Sequence, residues 1–170
     1  MSYMKLFYLF LFCGTAAFAQ STPHELAERF FKATVNNDLA GFKQIYPDVT
    51  AITFFIKSVD TENVYTTEMI DEASTVGTDN AVNSFETLQY EINRQGINLK
   101  GARITNILTM NDEIQLNEGQ EGLPIMTKIT KITIQFATAA GKNYSLVIPQ
   151  TVQIKDRWYI SEQQMEISPL

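Results

Sequence analysis

From Ala102 onward the apolar residues of this chain recur at every second position, whereas before it they recur at every third or fourth. Strand side chains alternate between two faces, and helix side chains return to one face about every 3.6 residues. A single switch of period midway predicts helices followed by strands. That is an α+β arrangement, not the repeated alternation of a parallel α/β fold.

In the second half, Ile104, Leu108 and Met110 share one predicted strand face, and Ile132, Ile134 and Phe136 alternate with Lys131, Thr133 and Gln135. Tyr144, Leu146, Ile148, Val152 and Ile154 form a third apolar row against Ser145, Val147, Thr151 and Gln153. Trp158 and Ile160 alternate with Arg157, Tyr159 and Ser161. Ala139-Ala140-Gly141-Lys142 and Lys155-Asp156 are short enough for hairpin turns. The result is an antiparallel meander with one oily face and one face rich in Thr, Gln and Ser. The helices of the first half must cover the oily face.

Those helices carry their own start signals. Thr22 caps the first, Pro23 fits its opening turn and Glu25 supplies a capping box, with Leu26, Phe30 and Ala33 along one stripe. Asn36-Asn37-Asp38 interrupts it and caps a short helix bearing Leu39, Phe42, Ile45 and Tyr46, which Pro47 ends. Asp48 caps Val49–Val59, which reads as a helix, although its β-branched content also suits a strand. Asp60–Asn80 reads as an acidic loop holding one short strand. Asp79 or Asn80 then caps a helix with Val82, Phe85, Leu88 and Ile92 inward and Gly96 as its stop.

Ahead of all this stands an address. Lys5, the apolar run Leu6–Phe12 and Ala17-Phe18-Ala19 before Gln20 form the pattern of a secretory signal peptide. The 14 residues of Leu6–Ala19 fall short of the roughly 20 that a membrane helix needs. The expectation is therefore export, periplasmic or extracellular, with 1–19 removed and 20–170 folding as one domain without a membrane span. A lipid-bearing site at Cys13 is disfavoured by Phe12 before it and by its place inside the apolar run. Without 1–19 the chain has no cysteine, and its net charge moves from −6 to −7. Ser58–Asn93 holds eight acidic residues and no Lys or Arg, whereas the rest of 20–170 has 12 basic and 11 acidic residues. That sign excludes nucleic acid as a partner, since phosphate backbones need cations.

Glu25-Leu26-Ala27-Glu28-Arg29-Phe30-Phe31-Lys32-Ala33, Asn37-Asp38-Leu39-Ala40-Gly41-Phe42 and the closing Val152–Ser161 stretch, with Trp158 before Ile160, resemble the nuclear-transport-factor-2-like (cystatin-like cone) superfamily. Gln95-Gly96-Ile97-Asn98-Leu99 ahead of a strand is similar to its small secreted members. The resemblance covers most of 23–163. It implies N-terminal helices packed on a curved antiparallel sheet, a cone-shaped cystatin-like roll. It also implies an apolar pocket lined from Phe30, Tyr46, Phe55, Phe85, Tyr90, Phe136, Tyr144 and Trp158. The 13 aromatics of 20–170 also suffice to fill such a cone completely.

Chemistry is sparse. The superfamily's dehydratases and isomerases resemble one another in setting His or Asp against Tyr or Asp in the cone, yet 102–110, 129–137 and 143–154 contain neither His nor Asp. His24, the one imidazole, sits in the first turn of a helix, where a solvated residue is expected. With no Cys in 20–170 and one His, only oxygen-bound ions remain. The acids of Asp60–Asp79 lack the spacing of a calcium loop, and the acidic stretch Asn111–Gly122 reads as a solvated connection between strands, with Gly119 and Gly122 allowing its bends. No catalytic residue, metal site or cofactor is predicted. The expected function is a non-catalytic exported domain that binds a small apolar molecule or a protein. The alternatives are a lyase or isomerase of the same superfamily, and a homodimer formed through the Thr/Gln/Ser face of the sheet.

Overall fold

Thr22 keeps extended backbone while its hydroxyl accepts the Glu25 amide at 3.1 Å, and α1 (Pro23–Val35) begins there. The Glu25 carboxylate reaches back one residue further than a standard capping box, to the amide and hydroxyl of Ser21 at 2.8 and 2.7 Å. Asp38 caps α2 (Leu39–Lys43) through the Gly41 amide, and Asp48 caps α3 (Val49–Val59) through the Ala51 amide. The choice left open at Val49–Val59 thus falls to helix. Residues 20–60, 64–116, 125–161 and 164–170 are described by the computed structural model. Residues 1–19 with Cys13, where a signal peptide is expected, and part of the acidic stretch after Asn111 lie outside the described residues.

The acidic loop read over Asp60–Asn80 is instead mostly helix. Thr66 accepts the Met69 amide at 3.3 Å and starts α4, which runs unbroken over the 28 residues Thr67–Arg94. Its inward stripe is Ile70, then Ala81, Ser84, Phe85, Leu88 and Ile92, with Gly77 half-buried and Ala73 exposed at the same helical spacing. Small side chains barely register as apolar, so the helical period is muted in the first half. Gly77 lies toward α3: a Cβ built on it would be 3.9 Å from Ile52 Cδ1, ordinary van der Waals contact.

The strands are β1 (Arg103–Gln115), β2 (Met126–Ala137), β3 (Asn143–Ile154), β4 (Arg157–Ile160) and β5 (Glu166–Pro169). All pair antiparallel in the order β1-β2-β3-β4, and β5 pairs with Tyr144–Val147 of β3 beside β4 at Thr151–Ile154. The chain is therefore α+β, with four helices among the described residues preceding an open five-stranded curved sheet. The free edge of β4 is closed by two carbonyls from the helical half. Trp158 N–H donates to Gln20 O at 2.8 Å and Ile160 N–H to Ile45 O at 3.0 Å. Such capping removes an edge available for mispairing.

The principal core lies between the helices and the inward face of the sheet. Leu26, Phe30, Phe42, Ile132, Ile134, Phe136, Ile148 and Ile160 are fully buried there. Phe42 packs edge-on against Phe85 with centroids 4.9 Å apart, and Phe31 meets Phe136 at 5.2 Å. Each such side chain contributes about 1.5–3 kcal/mol by leaving water.

Two strand readings require correction. An extra residue in β1 between Ile104 and Asn106 shifts its phase, so Ile104 and Ile107 face the core. Leu108 and Met110 instead pair with Thr133 and Lys131 on the outer face, where Met110 is 65% exposed. In β3, Ile148 pairs with Ile132 but Thr151 pairs with Thr130, so three residues of β3 oppose two of β2. This bulge falls at Pro149-Gln150. Proline has no N–H for the ladder and is confined to strand edges and bulges. Beyond it Thr151 takes the inward place, its hydroxyl donating to Thr130 O at 2.7 Å, and Val152 and Ile154 turn to the opposite side.

Candidate ligand cleft

Because of the β3 bulge, Val152 and Ile154 build a second, smaller core with Tyr159, Ala51 and Phe55, which holds α3 on that side of the sheet. The β3–β4 turn adds a clamp. Lys155, at positive φ, holds its Nζ 4.2 Å from the centre of the Phe54 ring. Between α3, the first half of α4 and the far ends of β1 and β3, a cleft of about 460 Å³ remains. Ile52, Phe55 and Ile56 line it from α3, Val76 and Gly77 from α4, and Ile114, Val152 and Ile154 from the sheet. Among the described residues of the lining none is charged, and the polar groups are Asn80, Thr127, Gln150, Ser161 and the Tyr46 phenol. A pocket of this size and apolarity, with a few polar groups, is the usual form of a small-molecule site.

The eight residues expected to line a pocket separate into distinct places. Tyr46 and Phe55 stand in the cleft. Phe30, Phe85, Phe136 and Trp158 are buried in the principal core, where Phe30 and Phe42 pack at 5.4 Å and aromatic rings occupy the space between helices and sheet. Tyr144 is half-buried and stacks on Phe136, centroids 5.6 Å apart. Tyr90 is 64% exposed, on the solvent side of α4. The residues that sequence reading passed over are Ile52, Ile56, Val76, Ile114, Val152 and Ile154. For Ile52 and Ile56 the visible signal was the apolar density of Val49–Val59, which leaves α3 apolar on more than one face, more than a single core contact requires.

Apart from the Tyr46 phenol, titratable groups lie outside the described lining. Burial pushes the Tyr159 phenol above its ordinary range, with Arg157 pulling the other way, so Tyr159 is a neutral hydroxyl around neutral pH. His24 is exposed on α1, its Nε2 3.7 Å from Glu28 Oε1. Among the described residues no three His, Cys, Asp or Glu side chains converge as a metal site would require, and no helix is long and apolar enough to cross a membrane. In comparison with protein-family models, with curated proteins and with solved structures, nothing matches the chain.

Proposed function

We propose that the protein is an exported, non-catalytic binding domain that holds a small apolar molecule in the cleft between α3, α4 and the sheet. One observation carries the reading: an open cleft of about 460 Å³ whose described lining has no charged side chain. Apolar surface left facing water is costly, and a ligand covering it gains about 25 cal/mol per Å² before the costs of association. A lyase or isomerase would need two titratable groups converging on a substrate. Tyr46 is the one titratable side chain among the described lining residues, and that favours binding over catalysis. The cleft site would be a variation on the superfamily resemblance, set beside the aromatic interior and not within it. Export rests on the leader pattern of residues 1–19.

The test is titration of the exported protein with the neutral fluorophore N-phenyl-1-naphthylamine. Saturable one-to-one enhancement is expected, and Gly77→Leu, which places a side chain in the cleft, should abolish it while circular dichroism stays native. Enhancement that never saturates, or that is undiminished in folded Gly77→Leu, would defeat the proposal.

A further inference from the structure

A second hollow, of about 380 Å³, adjoins the apolar cleft, and the two have Tyr46, Pro47 and Gly77 as common wall. Its chemistry is the reverse of its neighbour's. Arg29 reaches it from α1, Lys43 from α2 and Arg157 from β4, against a single carboxylate, Asp48. That carboxylate is already engaged, since its Oδ1 accepts the Ala51 amide at 2.8 Å to start α3. Among the described residues neither Lys43 nor Arg157 makes an ion pair. Arg157 lies against the Tyr159 ring, 5.3 Å from its centre, and its Nε is shut off from solvent with no hydrogen-bond acceptor. The Tyr159 hydroxyl in the same wall is neutral and able to donate.

We infer that the ligand is an anionic amphiphile, with its tail in the apolar cleft and its carboxylate or phosphate head in the adjoining hollow against Arg157, Lys43 and Arg29. The inference rests on the apolar-cleft reading and specifies its ligand class. Arg157 is suited to the head because a guanidinium fork matches a planar carboxylate or a phosphate face. Lys43, on an exposed helix, adds charge without fixing geometry.

The experiment is displacement of bound N-phenyl-1-naphthylamine by decanoate and by decanol, which share a tail and differ in the head. Both should displace the probe, decanoate roughly tenfold more tightly, the gain typical of hydrogen bonds to a charged group. Lys43→Gln/Arg157→Gln should bring decanoate to the decanol value and leave decanol unchanged. Should that double variant misfold, Lys43→Gln alone should still weaken decanoate selectively. Added salt, about 0.5 M sodium chloride, should do the same in the unaltered protein, since it screens charge and not apolar contact. Equal affinity for the two in the unaltered protein would overturn the anionic-head inference and leave the cleft reading standing. Failure of both to displace the bound probe would overturn the inference by removing the tail site, and with it the cleft reading. Decyl phosphate in a third titration distinguishes the two heads, tighter binding than decanoate identifying a phosphate site and weaker binding a carboxylate site.

Discussion

Ile148 and Val152 lie on one strand at positions that unbroken alternation would place on the same side, yet they face opposite sides of the sheet. The bulge at Pro149-Gln150 divides β3 into a part that serves the principal core and a part that carries α3. Without that change of phase the cleft would lose its floor of Val152 and Ile154.

The two sites should therefore respond differently to truncation. Ile148 is fully buried, and Ile148→Ala should cost about 3 kcal/mol in urea unfolding, because a closed cavity is left behind. Val152 borders space that is already open, so Val152→Ala should cost only about 1 kcal/mol. Probe affinity should change in the second variant and stay constant in the first.

Gly77 sits within α4 at ordinary helical backbone, where glycine is about 0.5–1 kcal/mol less favourable than alanine. The nearest atom to an added Cβ is Ile52 Cδ1 at 3.9 Å, ordinary van der Waals contact. Gly77→Ala should therefore raise stability by about that amount, seen as a higher melting temperature by circular dichroism.

The Gln20 carbonyl accepts the Trp158 amide, and Gln20 is fully buried. A chain beginning at Ser21 should lose about 1–3 kcal/mol, the cost of a buried donor left without its partner. Cleavage after Ala19 retains this latch. The intact mass of secreted protein should thus correspond to a first residue at Gln20, and a later start would contradict the leader boundary.

The Glu25 carboxyl is held below the ordinary glutamate range, first by the Ser21 hydroxyl and then by the Ser21 amide. A lowered native pKa means that its contribution is complete above the unfolded value and is lost as pH falls through the native one. Ser21→Ala should therefore reduce stability near neutrality, and its difference from the unaltered protein should shrink on acidification below the ordinary glutamate range. A difference that grew in acid would reverse the sign of the linkage.

Helix starts were legible because Thr22, Asp38 and Asp48 each signal through a side-chain oxygen and a short spacing. The switch to strands was legible because alternation in Ile132–Phe136 is uninterrupted. The first half of α4 was not, since Ala73, Gly77 and Ala81 carry little hydropathy despite lying on one stripe. Neither bulge shows in the apolar pattern, although Pro149 marks a place where the ladder cannot continue. Of the cleft, aromatic weight pointed to Tyr46 and Phe55. It also pointed to Tyr90, which stands two residues beyond the inward Leu88 and so on the other side of the helix. Its aliphatic walls come from α3, α4, β1 and β3, and no local pattern announces that these segments meet.

The most direct measurement of cleft binding is methyl-resolved NMR of the isotopically labelled exported protein, titrated with N-phenyl-1-naphthylamine. The expected result is saturable shifts at Ile52, Ile56, Ile114, Val152 and Ile154, with Ile132, Ile134 and Ile148 unmoved. Shifts confined to the Ile132, Ile134 and Ile148 methyls, or none at saturating probe, would contradict it.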